Sequence, residues 1–108
     1  MFLDSTVIVV QIFDSGGQFV RKIGSEGSGP GQFRFPRGLC VDQEGSLIVA
    51  DRNNDRVSQL TLAGRFVRHL LTKDDGVRAP YAVAITAGGQ LVVTESGNNR
   101  AAIKLFQI

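Results

Sequence analysis

A repeat with a period of 44 residues is the feature that most limits what this chain can fold into. The segments VDQEGSLIVADRNNDRV (41–57) and ITAGGQLVVTESGNNRA (85–101) carry matching landmarks without a gap. The matched pairs are Gly45 and Gly89, Leu47 and Leu91, Val49 and Val93, Asn54 and Asn98, and Arg56 and Arg100. The carboxylates Asp51 and Glu95 keep the same register, as do Pro36 and Pro80. Self-similarity at such a period indicates an architecture built from stacked repeats.

A second correspondence extends the repeat to the start of the chain. FDSGGQFVRKIG (13–24) parallels LTLAGRFVRHLL (60–71) at an offset of 47 residues, which places the three-residue difference in the connector between units. Insertions that spare the strands and fall in connectors are typical of repeats. We therefore expect a partial unit with strands two to four over 1–33, a complete unit over 34–78, and a partial unit with strands one to three over 79–108.

The apolar runs within each unit are short and bounded by Gly, Asn, Asp or Pro, which favours strands over helices. SLIVAD (46–51) is apolar at successive positions, as expected of a strand buried on both faces. GLCVD (38–42), RVSQLTL (56–62) and RFVRHLL (65–71) supply the other three strands of the complete unit. The sequence predicts an all-β fold in which one sheet cannot bury both faces without neighbours.

These residues resemble the NHL repeat, which is a blade of a β-propeller. The matching positions are Pro36, Gly38, Val41, Asp42, Gly45, Leu47, Val49, Asp51, Asn54, Arg56 and Val57. The resemblance implies four-stranded antiparallel blades and a partial propeller, because six blades of this length need roughly 260 residues. We expect a fragment of a longer product, most similar to the propellers of tripartite-motif (TRIM-NHL) proteins, whose missing blades or self-association complete it.

Composition narrows the compartment and the chemistry. The 12 basic and 10 acidic residues give a net charge of only +2, so charge alone does not point to nucleic acid. The single cysteine, Cys40, excludes an internal disulfide and fits a reducing compartment. No apolar segment approaches the length of a membrane span. We expect a cytoplasmic chain with no membrane contact.

Catalytic groups are sparse. The single histidine, His69, falls in the predicted outermost strand, and Cys40 falls in the innermost, so neither suggests a nucleophile with its base. The resemblance also includes an amidating lyase whose propeller uses a metal and several histidines, which this chain does not offer. We expect no cofactor, no metal and no enzymatic activity in this chain.

Two acid–arginine pairs recur at one spacing, Asp51 with Arg56 and Glu95 with Arg100. Because the pairs lie across equivalent loops between strands two and three, we interpret them as structural. The acid is expected to accept loop amides while the arginine pairs with it.

The candidate binding surface follows from the propeller resemblance, which places these loops and the inter-blade connectors on one face. Its candidate residues are the cations Arg34, Arg37 and Arg52 and the aromatic side chains Phe33, Phe35 and Tyr81. A basic face with stacking rings suits a protein partner or single-stranded or hairpin RNA, although the same rings would also suit packing between blades. The resemblance implies a parent that is a RING-type E3 ubiquitin ligase whose propeller selects substrates. A lyase-like or sensor propeller with its active site outside this chain is the alternative.

Overall fold

The computed structural model describes residues 9–97 and 100–108, and in them the chain is built from three antiparallel sheets and one short parallel pair. The first sheet pairs β1 (Val10–Phe13) with β2 (Phe19–Ile23), and a short parallel pair, β3 (Ser25–Glu26) and β4 (Gln32–Phe33), follows in the connector. The middle sheet has the order β5 (Pro36–Val41), β6 (Ser46–Asp51), β7 (Arg56–Thr61) and β8 (Phe66–Leu71). The last sheet comprises β9 (Pro80–Ile85), β10 (Leu91–Gly97) and β11 (Arg100–Phe106). This architecture confirms the predicted all-β fold class.

Strand β6 explains why the sheets stack. Its alternate side chains point to opposite faces, and both faces are buried: Leu47 and Val49 on one side, Ile48 and Ala50 on the other. A strand that is apolar at four successive positions needs a partner on each side, and the middle sheet has one on each side.

Two apolar cores result from this stacking. The first joins Leu47, Val49 and Leu60 of the middle sheet to Val10 and Ile23 of the first sheet, with Phe33 of the connector added. The second joins the opposite face of the middle sheet to the last sheet. Its buried members are Ile48, Ala50, Val57, Leu71, Val77, Val83, Leu91 and Val93. The sheets are thus stacked in chain order, each packing on the next.

A close backbone approach fixes the contact between the middle and last sheets. A Cβ at Gly38 on β5 would lie 2.6 Å from the carbonyl oxygen of Tyr81 and 2.9 Å from the Cα of Ala82 on β9. Only glycine allows two backbones to come this close. Gly38 therefore sets the distance between the first strands of these two sheets. Among the described residues, no helix has the length and apolar character needed to cross a membrane.

Candidate recognition cleft

The loop between β6 and β7 and the connector before β5 lie at the same end of the middle sheet. The loop forms one turn of 3-10 helix, Arg52–Asn54. The backbone N–H of Arg52 donates to the carbonyl of Phe35 at 3.1 Å, and that of Asn53 donates to the carbonyl of Arg34 at 2.9 Å. These two hydrogen bonds bring the connector before β5 and the loop after β6 together on one surface.

The same joint recurs one repeat later. The N–H of Ser96 donates to the carbonyl of Ala79 at 3.4 Å, at the position equivalent to the bond between Arg52 and Phe35. Both acceptors have left-handed backbone, with φ of 64° at Phe35 and 45° at Ala79, and each directly precedes a proline. Non-glycine residues avoid this conformation unless their surroundings impose it. The repeated loop bonds supply that constraint and fix the direction in which Phe35 leaves the backbone.

Asp51 ties the connector to the end of β6. Its side chain is fully buried and accepts the N–H of Arg34 at 2.7 Å and the Nδ2 of Asn54 at 2.8 Å. Burial raises the pKa of Asp51 above its ordinary value, against the opposing effect of these two hydrogen bonds and of the nearby charge of Arg56. The carboxylate therefore acts as a cap for loop amides.

Arg56 reaches much further than a local loop pair. Its Nη1 donates to the carbonyl of Ser28 at 2.7 Å, and its Nη2 donates to the carbonyls of Gly29 and Gln32, both at 2.9 Å. Its Nε lies 3.5 Å from the Oδ2 of Asp51. We refer to this group as the Arg56 clamp. Because it holds the carbonyls of Ser28, Gly29 and Gln32, it attaches the Gly-rich connector before β5 to the start of β7.

Glu95 caps its own connector as Asp51 does, because the N–H of Arg78 donates to its Oε2 at 3.0 Å. Its ionic partner is Lys104, whose Nζ lies 3.1 Å from Oε1 and also donates to the carbonyl of Gly76 at 2.7 Å. The side chain of Arg100, expected to pair with Glu95, lies outside the described residues.

A cleft of about 350 Å³ opens between the middle and last sheets beside this joint. Its lining residues are Phe35, Arg37, Arg52, Asn53 and Tyr81. Four of them, all except Asn53, are among the six candidates identified from the sequence. Asn53 could not be recognised as a lining residue from the sequence, because an Asn in a loop looks like an ordinary turn former.

The two guanidinium groups of the cleft are held by neighbours. Arg37 lies 5.0 Å from the centroid of the Tyr81 ring and donates from Nη2 to the Tyr81 hydroxyl at 3.2 Å. Arg52 donates to the Oδ1 of Asn53 at 3.0 Å and, across to the last sheet, to the carbonyl of Ser96 at 3.2 Å. Each guanidinium has five N–H donors, so both keep donors free for a ligand.

The other two candidates have different surroundings. Phe33 is fully buried in the core between the first and middle sheets, so its ring is not available for stacking. Phe33 is therefore not part of the candidate binding surface. Arg34 is exposed, but it does not line the cleft, and its backbone groups bind Asp51 and Asn53. Phe33 and Phe35 could not be distinguished from the sequence, because both lie in one short run flanked by polar residues.

His69 and Cys40 are not among the residues that line the cleft, and each contacts residues of the middle sheet or its core. The Nδ1 of His69 is 3.2 Å from the Oγ of Ser58 on the neighbouring strand, and burial, then the charge of Arg56, lowers its pKa. Cys40 packs against the second core, where burial, then the charge of Asp42, raises the pKa of its thiol. Within residues 9–97 and 100–108, no group of three or more His, Cys, Asp or Glu side chains is placed to hold a metal ion.

Consecutive antiparallel sheets, stacked face to face with the first strands of the middle and last sheets adjacent, define a β-propeller segment. A family model described as a 6-bladed beta-propeller matches residues 1–80. NHL-repeat-containing protein 4 of Mus musculus is 39% identical over 99 residues, covering 91% of this chain and 67% of that protein. The chain belongs to the NHL-repeat β-propellers, as its repeat pattern indicates.

Two further relatives are much longer than this chain. The E3 ubiquitin-protein ligase TRIM32 of Homo sapiens is 32% identical over 95 residues, covering 75% of this chain. Peptidyl-glycine alpha-amidating monooxygenase B of Xenopus laevis is 36% identical over 85 residues, covering 73% of this chain. The chain spans only 14% of the ligase and 10% of the monooxygenase.

Proposed function

We propose that this chain is a non-catalytic recognition segment that binds a protein partner at the cleft between its middle and last sheets. We further propose that it acts in the cytoplasm as part of a TRIM-NHL type E3 ubiquitin ligase and selects that ligase's substrates. The similarity to the E3 ubiquitin-protein ligase TRIM32 supports this context. Ubiquitin transfer itself would belong to other parts of such a parent.

The observation that carries the proposal is the composition and order of the cleft. Two arginines, Arg37 and Arg52, line it with their guanidinium groups already oriented by Tyr81, Asn53 and a backbone carbonyl. Phe35 is directed by a left-handed backbone that the loop bonds hold in place. A site that is ordered before binding loses less entropy when its ligand arrives.

The same composition indicates the chemistry of the partner. Guanidinium groups bind carboxylates through charge-assisted, often bidentate hydrogen bonds, and the rings of Phe35 and Tyr81 offer apolar contact beside them. We expect a partner segment that places an acidic side chain next to an apolar or aromatic one. Arginine and aromatic anchors are also the residues that carry most binding energy at protein interfaces.

RNA is the second candidate, because exposed arginines and the ring of Tyr81, 42% exposed, also suit phosphates and a stacked base. The stacking of Arg37 on Tyr81 favours a protein, since it occupies one face of the ring that a base would use. The alternative is a lyase-like or sensor parent with its active site outside this chain, and the similarity to an amidating monooxygenase is consistent with an enzyme parent.

The test is a random-peptide display screen on the immobilised chain, followed by calorimetric titration of the enriched peptides. We expect peptides with Asp or Glu beside an aromatic or apolar residue. The double variant Arg37→Ser/Arg52→Ser should bind them at least tenfold more weakly, since each charge-assisted hydrogen bond contributes about 1.5–3 kcal/mol.

The matched control is Arg65→Ser/Arg68→Ser, which removes the same net charge at exposed positions before and on β8, away from the cleft. It should leave the affinity unchanged. The absence of any enriched peptide, or an equal loss of affinity in both double variants, would contradict the proposed site.

A further inference from the structure

The outward face of the last sheet is apolar and uncovered. Ile103 and Leu105 on β11 are 78% and 58% exposed, while the inward-facing Phe106 packs against the second core. Strand pairing places Ile103 beside Thr94 and Leu105 beside Val92. The residues of this face are Ala82, Ala84, Val92, Thr94, Ser96, Ala101, Ile103 and Leu105, none of them charged. We call it the trailing face.

The outward face of the first sheet carries an exposed aromatic pair. Phe13 and Phe19 are partners in the β1–β2 register, are 54% and 56% exposed, and their rings meet edge to face at 5.9 Å. Gln11 and Lys22 form the next pair on this side. We call this the leading face.

The repeat shows what each of these faces normally contacts. Val92 and Thr94 of the trailing face are equivalent to Ile48 and Ala50, which are buried against the inward face of the last sheet. The trailing face is therefore of the kind that a following sheet covers.

The leading face has the opposite preference. Phe13 and Phe19 are equivalent, at the offset of 47 residues, to Leu60 and Phe66, which are paired in the same way in the middle sheet. Leu60 is completely buried because the first sheet packs on it. The leading face is thus of the kind that a preceding sheet covers, and it complements the trailing face.

We propose that two copies of this chain associate head to tail, the trailing face of each covering the leading face of the other, and close into a ring of six sheets. Each copy contributes three stacked sheets, which is half of the six blades of its family. A head-to-tail contact yields a ring when its rotation closes, and two identical interfaces then cover every exposed face of the stack. In this ring Phe13 and Phe19 of one copy pack near Ile103 and Leu105 of the other.

The test begins with the molar mass of the 108-residue chain, measured by light scattering after size exclusion. The ring predicts twice the 11.6 kDa of one copy. Ile103→Glu, on the trailing face, and Phe13→Lys, on the leading face, should each halve the measured mass. Both positions are exposed in the single chain, so the circular dichroism of the variants should stay that of a β-protein.

Mixing the two variants distinguishes the ring from other dimers. A mixed pair has one unaltered interface and one with Glu opposite Lys, so equimolar mixing should restore the doubled mass. A dimer made by one face alone would tolerate one of the two substitutions and would contradict the ring. A chain that stays monomeric from micromolar to millimolar concentration would also overturn it and assign both faces to further sheets of a longer polypeptide. Open-ended growth with concentration would refute closure.

Discussion

Removing the Arg56 clamp should destabilise the fold more than any exposed arginine does. We consider Arg56→Met, which keeps an apolar stem of similar length but deletes the guanidinium. The residue is buried, with 8% exposure, and its side chain makes three hydrogen bonds to carbonyls of Ser28, Gly29 and Gln32 as well as the contact with Asp51. The substitution removes the charged donor from all three carbonyls and the ionic partner from Asp51.

The magnitude follows from these contacts. Three charge-assisted bonds at about 1.5–3 kcal/mol each set an upper range, while removing one partner of a buried ion pair costs about 3–5 kcal/mol in measured cases. We expect Arg56→Met to lower the free energy of unfolding by about 4 kcal/mol. Arg56→Lys retains the charge but not the fork that reaches three carbonyls, and we expect a loss of about 2 kcal/mol.

The assay is urea unfolding followed by circular dichroism at one fixed protein concentration. With a slope of about 2 kcal/mol per molar urea, Arg56→Met should move the midpoint by roughly 2 M and Arg56→Lys by roughly 1 M. Arg65→Met, at an exposed position, should stay within about 0.5 kcal/mol of the parent. A cost below about 1 kcal/mol for Arg56→Met would refute the clamp as a support of the connector.

Three further predictions concern other contacts. Burial lowers the pKa of His69, so the neutral ring is favoured in the folded state; its stabilising effect is complete above the ordinary pKa of 6.5 and is lost as the pH falls from there toward the folded-state pKa. Relative to His69→Gln, the parent should therefore lose unfolding free energy between pH 7.5 and 5.5, about one unit either side of the ordinary pKa. Parallel curves of unfolding free energy against pH for the two proteins would contradict this. Gly38→Ala forces a Cβ to 2.6 Å from the Tyr81 carbonyl and should cost about 1–3 kcal/mol in thermal or urea unfolding; a loss below about 0.5 kcal/mol would show that the close approach is relaxed. Gly45→Ala, whose Cβ meets nothing within 4 Å, reports instead the cost of positive φ, which Gly38 does not carry. If RNA is the ligand, Arg37→Glu/Arg52→Glu should weaken binding of a fluorescent single-stranded RNA and reduce its salt slope by about one per lost phosphate contact, and an unchanged slope would exclude this face.

The repeat and its strands were predictable because they depend on local alternation and on one fixed spacing. The segment SLIVAD predicts a strand buried on both faces, whichever sheets pack against it, and β6 is that strand. The caps on loop amides follow from acids at equivalent loop positions, since Asp51 and Glu95 both accept a connector N–H.

The contacts that cross between units were not predictable. The Arg56 clamp joins residues 24 to 28 positions apart, and the stacking of Arg37 on Tyr81 joins residues 44 apart. The spacing of matched residues in the sequence predicts the repeat period. It does not predict toward which neighbouring unit a long side chain extends. For the same reason Phe33 and Phe35 looked equivalent, although one fills a core and the other lines the cleft.

The Arg56 clamp has a consequence for how such a chain can lengthen during evolution. Its arginine lies at the start of β7, and the carbonyls that it holds lie in the connector before β5. A tandem duplication of one period copies both the arginine and a connector. The new unit then has an arginine that can bind the connector before it, and a connector that the arginine of the next unit can bind. A gain of one whole period therefore needs no new attachment, whereas a gain of half a period would separate the arginine from its carbonyls.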